Sequence, residues 1–126
     1  YYLGEHLKKD DQLAFLWITR AADQGHIEAQ YQLAAMFENG WGVQQNYGAS
    51  LKRYLSLAEQ GHKISQFKLA LLYENGRGAH KNLTEAIHWY RKAAQQGYFH
   101  ADVALNRLSA NAPLSVRDNT HSPLPR

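Results

Sequence analysis

Apolar side chains recur along the chain at the spacing of an amphipathic helix. Ala29, Leu33 and Phe37 follow one another at intervals of four residues, which places them on one stripe of a helix. This pattern predicts a helix over residues 27–38, and the same pattern predicts another over residues 63–74. Each of these first helices ends at an Asn-Gly-x-Gly string, where glycine supplies the left-handed backbone that ends a helix.

A second helix is expected after each of these strings. Asn46 and Asn82 are good N-cap residues, and Glu85 forms an arrangement like a capping box with Asn82. Gly61 and Gly97 then supply the backbone conformation at which the second helices end. The pattern therefore predicts pairs of antiparallel helices joined by glycine-containing turns.

The whole pattern repeats every 36 residues. Gly25, Gly61 and Gly97 share this spacing, and the strings around them read Ala-Asp-Gln-Gly-His, Ala-Glu-Gln-Gly-His and Ala-Gln-Gln-Gly-Tyr. A fixed period of this length is typical of a solenoid, in which each unit buries its apolar face against its neighbours.

The period divides the chain into five predicted segments. Residues 1–24 form a partial repeat, in which residues 1–3 end a first helix and residues 10–24 form a second helix. Full repeats follow over residues 25–60 and 61–96, and residues 97–112 form a terminal capping helix centred on residues 101–108. Residues 113–126 contain all three prolines and are expected to be an extended tail or linker. The chain does not begin with Met, and we interpret it as a fragment of a longer protein.

The repeat motif resembles that of a known family. The string Ala-x-x-x-Leu-Ala-x-x-Phe/Tyr-Glu-Asn-Gly-x-Gly, followed by Tyr-x-x-x-Ala-x-Gln-Gly, resembles the Sel-one-like repeat, a relative of the tetratricopeptide repeat. This resemblance implies an all-α fold, a right-handed α-solenoid of antiparallel helix pairs. It also implies a scaffold or adaptor role, as in bacterial secreted and host-interaction proteins and in adaptors of endoplasmic-reticulum quality control. The chain has no cysteine, unlike the disulfide-stapled branch of the family.

One face of the first helices is the predicted partner-binding surface. At 100° per residue, this face lies opposite the stripe that packs on the second helices. Stacking brings its residues side by side on the inner face of the solenoid, and an apolar groove of this kind suits an amphipathic helix or an extended peptide. We call it the concave surface, and its predicted members are Tyr31, Ala35, Ile64, Phe67, Leu71, Val103 and Arg107. For Tyr31 and Phe67 the alternative is ordinary packing between neighbouring repeats.

The tryptophans suggest two different roles. Trp17 and Trp89 occupy equivalent positions in second helices, and packing at the seam between helices is the expected role of both. Trp41 lies inside a glycine loop, where the next repeat has Arg77. A loop tryptophan is often exposed, so Trp41 is a candidate contact residue for a partner.

Composition and spacing argue against enzyme chemistry. The two Gly-x-Gly loops lack the strand, third glycine and Lys-Ser/Thr of a phosphate-binding loop. His26 and His62 occupy equivalent positions in successive repeats, about 9–10 Å apart by normal helix packing, which is too far for shared metal ligands. No serine lies in a nucleophile-elbow motif. We therefore predict no catalytic, cofactor-binding or metal-binding residues.

The predicted function is a scaffold that binds a protein or peptide. A net charge of +3, with basic residues on several faces, does not favour nucleic acid, and no apolar run is long enough for insertion into a membrane. The alternatives are enzyme activity supplied by regions outside this chain, electrostatic binding to nucleic acid or an acidic membrane, and a structural spacer. Self-association through the N-terminal partial repeat or the C-terminal tail is a further expectation, and the tail itself is a candidate occupant of the groove.

Overall fold

The protein consists of helices stacked in chain order. The computed structural model describes the backbone of residues 2–111 and the side chains of residues 10–110. Within this part there are no strands, and the helices are α1 (Tyr2–Asp23), α2 (Ile27–Asn39), α3 (Tyr47–Glu59), α4 (Lys63–Asn75), α5 (Leu83–Gln95) and α6 (Phe99–Asn111). Each helix packs against the next one along the chain. The all-α repeat fold is therefore confirmed.

The helix ends follow the sequence signals. Gly40 ends α2 and Gly76 ends α4, with φ angles of 73° and 69° that favour glycine. The Asn46 side chain accepts a hydrogen bond from the Ala49 backbone nitrogen at 3.0 Å and so caps α3. Asn82 caps α5 in the same way. These caps satisfy backbone N–H groups that have no partner within the helix.

The first helix differs from the expectation. The sequence predicted the end of one helix at residues 1–3 and the start of another at residue 10, whereas α1 runs unbroken from Tyr2 to Asp23. In the repeat frame Gly4 and His6 correspond to Gly40 and Gly42. Because His6 replaces the second glycine, this stretch lacks the pair of left-handed positions that separates α2 from α3. The helix therefore continues through it.

The last helix is longer than the expected core of residues 101–108. It extends from Phe99 to Asn111 and packs on α5. Residue 1 and residues 112–126 lie outside the described part of the chain, and the expected tail of residues 113–126 falls there.

Equivalent buried residues connect successive helices. Tyr54 and Tyr90 are fully buried, and each donates a hydrogen bond from its hydroxyl to a glutamate of the preceding helix. Gln66 is buried and donates from its side-chain amide to the Ala58 carbonyl oxygen at 3.1 Å, and Gln30 makes the equivalent bond to Ala22. Buried polar groups are costly unless they are paired, so these bonds favour one register of the stacked helices.

Candidate binding surface on the first helices

The residues predicted for the concave surface lie on α2, α4 and α6 and are accessible to different degrees. Five of them are half-buried: Tyr31, Ala35, Ile64, Phe67 and Leu71. Val103 is 48% exposed, and Arg107 is also exposed. The surface therefore consists of apolar side chains that are partly covered by neighbours and partly open to solvent. This placement is compatible with the prediction and does not by itself test partner binding.

Tyr31 packs against two other rings. Its ring centroid lies 5.8 Å from that of Tyr54 and 5.5 Å from that of His62. Burial raises the pKa of the Tyr31 hydroxyl, and the nearby Tyr98, Glu38 and Glu28 raise it further. Tyr31 is therefore a neutral hydrogen-bond donor at neutral pH, with a polar hydroxyl on an otherwise apolar surface.

Phe67 repeats this arrangement one period later. Its centroid lies 5.6 Å from the ring of Tyr90, 5.2 Å from that of Tyr98 and 6.1 Å from that of His100. Tilted aromatic pairs at such distances are favourable. Tyr31 and Phe67 thus pack between repeats, as the alternative interpretation expected, while each keeps part of its surface accessible.

Arg107 belongs to an ion pair between repeats. Its two terminal nitrogens donate to the Glu74 carboxylate, from Nη1 to Oε2 at 2.6 Å and from Nη2 to Oε1 at 3.0 Å. Tyr90 donates its hydroxyl to the same Oε1 at 2.6 Å. The Arg107 hydrogen bonds, followed by the Tyr90 bond and the Arg107 charge, lower the pKa of Glu74 although burial opposes them. Arg107, a predicted member of the concave surface, is therefore one half of a bidentate ion pair with Glu74.

A carboxylate–tyrosine pair recurs along this surface and was not singled out from the sequence. Glu38 accepts a hydrogen bond from the Tyr54 hydroxyl at 2.8 Å, as Glu74 accepts one from Tyr90. Burial and the glutamate hold the pKa of Tyr54 and of Tyr90 well above the usual value, so both remain donors at neutral pH. The repeat could have revealed these pairs, because the glutamate and the tyrosine are 16 residues apart in each of them.

The tryptophans differ more than their spacing suggested. Trp89 is 8% exposed and belongs to the main core, whereas Trp17 is 60% exposed, so the seam expectation is wrong for Trp17. Trp89 belongs to the core cluster against which Tyr73 of the preceding α4 packs. Within the described residues no first helix packs in front of α1, which leaves Trp17 open to solvent. Trp41 is 52% exposed, as expected for a candidate contact residue in a loop.

Other kinds of site find little support in the described residues. Nowhere in this part of the chain do three or more His, Cys, Asp or Glu side chains group as metal ligands. None of the helices in residues 2–111 is both long and apolar enough to cross a membrane. A shallow cleft lies between α1, α2 and α3 and is lined by Ala22, Asp23, Gln30, Arg53, Ser56 and Gln60.

Stacked helix pairs with a shared, partly exposed aromatic face define the class of the protein: it is a helical repeat protein. Residues 1–26, 27–62 and 63–98 each match the model of the Sel1 repeat, and the last two matches repeat at the predicted period. The chain therefore belongs to the Sel1 repeat family, which is the Sel-one-like family that the sequence resembles. Proteins of this family are generally non-catalytic scaffolds for protein–protein interaction.

Solved structures give the same picture of the fold. The chain is 37% identical to a Sel1 repeat protein from Oxalobacter formigenes, with a TM-score of 0.70 over 81% of this chain and 42% of that one. It is 30% identical to a protective antigen of uropathogenic Escherichia coli that displays the same repeat fold, with a TM-score of 0.70 over 79% of this chain and 21% of the antigen.

More distant similarity shows the fold alone. Helicobacter pylori cysteine-rich protein B is 20% identical, with a TM-score of 0.67 over 74% of this chain and 70% of that one. A search of curated protein sequences found no match. The chain spans less than half the length of the Oxalobacter protein and about a fifth of the Escherichia antigen.

Proposed function

We propose that this chain binds a protein or peptide partner along the concave surface, and that it acts as a scaffold rather than as an enzyme. The observation that carries the proposal is the row of Tyr31, Phe67 and Val103, which occupy one repeat position on α2, α4 and α6. Two of them are held by ring contacts with second helices, and all three keep some accessible apolar surface. Rigid aromatic side chains lose little entropy on binding and are frequent hot spots.

Polar groups border this row and give a partner its orientation. Glu28 lies 3.9 Å from the His62 ring at one edge, and the Glu74–Arg107 pair lies at another. A groove with an apolar floor and fixed polar groups suits an amphipathic helix or an extended peptide. The apolar floor would supply affinity, and the polar groups would select register and direction.

The test compares two exposed apolar residues, one on the concave surface and one outside it. Peptides would be selected from a displayed random library on the immobilised protein, and their affinities measured for Val103→Asp and for Leu83→Asp. Leu83 is 43% exposed at the start of α5, so it matches Val103 in exposure but lies outside the concave surface. Circular dichroism would verify that both variants are folded.

We expect Val103→Asp to weaken binding by about tenfold or more, because an aspartate must be desolvated against apolar ligand groups. Leu83→Asp should bind as the wild type does. Equal affinities for all three proteins would rule out the concave surface. If binding is lost instead in Trp41→Ala, the glycine loop is the contact region.

A further inference from the structure

Glu38 and Glu74 are the same residue of two successive repeats, and the structure places them in nearly the same setting. Each lies near the end of a first helix, and each accepts a hydrogen bond at Oε1 from the buried tyrosine of the following second helix. The two sites can therefore be compared group by group. A group that contacts one glutamate and has no counterpart at the other indicates which group a partner could supply there.

The two sites differ in their positive charges. Glu74 is contacted by Arg107 and is further stabilised by the charge of Lys81. In the repeat frame the residue corresponding to Arg107 is Leu71, and the residue corresponding to Lys81 is Gln45. Both cations are therefore replaced by neutral side chains at Glu38. Among the side chains of residues 10–110, no cation forms an ion pair with Glu38.

Within the described side chains, Glu38 is thus a half-buried carboxylate that accepts one hydrogen bond, from Tyr54, and has no ion-pair partner. Its other oxygen can accept a charge-assisted hydrogen bond from a cation, as the Glu74 carboxylate does from Arg107. Tyr31 lies close enough to Glu38 that the charge of the glutamate contributes to the raised pKa of the Tyr31 hydroxyl. The site therefore combines a carboxylate that accepts one hydrogen bond, the nearby Tyr31 hydroxyl and, at the repeat position equivalent to Arg107, the apolar residue Leu71.

We propose that Glu38 receives an arginine side chain of the partner, whose guanidinium group occupies the place that Arg107 occupies at Glu74. This proposal deepens the proposed function and rests on it. The planar guanidinium donates to both oxygens of a carboxylate, as Arg107 does at Glu74. Lysine carries the charge without the paired donors and would bind less well.

Reciprocal exchanges between the two repeats test the site. The probes are acetyl-arginine amide and acetyl-citrulline amide, which differ in charge but little in shape. The ¹³C resonances of the glutamate carboxyl groups report on binding. Acetyl-arginine amide should shift the Glu38 resonance saturably, and acetyl-citrulline amide should not. In Arg107→Leu the Glu74 resonance should begin to respond, and in Leu71→Arg the Glu38 resonance should no longer respond.

Selected peptides distinguish failure of this site from failure of the proposed function. Replacing one arginine of a bound peptide by citrulline should weaken binding about tenfold for the wild type and leave binding to Glu38→Gln unchanged, as expected for a charged hydrogen bond. Peptides that lose affinity in Val103→Asp but tolerate citrulline at every position would overturn the arginine site and leave the groove intact. Peptides insensitive to Val103→Asp would contradict the groove itself. Equal responses of Glu38 to both amides would also overturn the proposal.

Discussion

Gly78 lies against the backbone of Tyr47, one repeat earlier in the chain. A Cβ atom added to Gly78 would be 2.5 Å from the Tyr47 carbonyl oxygen, and its φ of +84° favours glycine as well. Gly42 meets Asp11 in the equivalent way. The second glycine of the Gly-x-Gly loop is therefore needed for contact between repeats, and not only for the turn between two helices.

This contact predicts a difference between two glycine substitutions. Gly61→Ala should cost about 1–2 kcal/mol, because Gly61 has a φ of +94° but open space around the added Cβ. Gly78→Ala should cost about 1–3 kcal/mol more, because the same backbone strain is joined by overlap with Tyr47. Urea unfolding of the two variants measures the difference. Equal losses would show that the loop yields without disturbing the stacking.

Trp17 and Trp89 offer a second matched pair. Trp89→Ala should cost about 3–5 kcal/mol, because a large side chain is removed from the core. Trp17→Ala should cost less than about 1 kcal/mol, because Trp17 is mostly exposed and packs on Arg20 through a cation–π contact at 5.3 Å. Thermal unfolding followed by circular dichroism distinguishes the two. A large loss of stability in Trp17→Ala would mean that the Trp17 ring is packed against another part of the protein in solution.

Ser50 predicts a stabilising substitution. Its hydroxyl is fully buried and has no hydrogen-bond partner among the described residues, while the equivalent residues in the flanking repeats are Ala14 and Ala86. Ser50→Ala should raise the free energy of unfolding by about 1 kcal/mol, since it removes an unpaired polar group and favours the helix. Urea denaturation gives the value. A decrease would indicate that the hydroxyl has a partner in solution.

Glu74 predicts a dependence of stability on pH. Its folded pKa is lowered from 4.5, so the unfolded chain binds more protons in this range. The stabilisation is fully present above about pH 4.5 and is lost as pH falls through the lower folded pKa. Unfolding measured between neutral and acidic pH should therefore show a shallower loss of stability below this pH in Glu74→Gln than in wild type. The same dependence of the free energy of unfolding on pH in both proteins would mean that Glu74 has an ordinary pKa in the folded state.

A large part of this protein could be predicted from its sequence. The period, the helix pairs and the caps at Asn46 and Asn82 are local features, and local spacing and residue type specify them. The same signals placed Tyr31 and Phe67 on one face, because a residue's angle around a helix depends only on its position. The break expected between residues 3 and 10 was a wrong prediction, because α1 is continuous there. The second glycine of the loop that follows the other first helices is replaced here by His6.

Contacts between repeats were decided only by the tertiary structure. The sequence by itself determined which residues share a face, since that follows from the period of 36 residues and the helical turn. It did not determine that Arg107 reaches Glu74 across 33 residues while Glu38 forms no ion pair within residues 10–110, or that Trp17 is exposed where Trp89 is buried. Those outcomes depend on how closely neighbouring helices approach and on what lies in front of each side chain. Such distances arise from packing and are not encoded in any single helix.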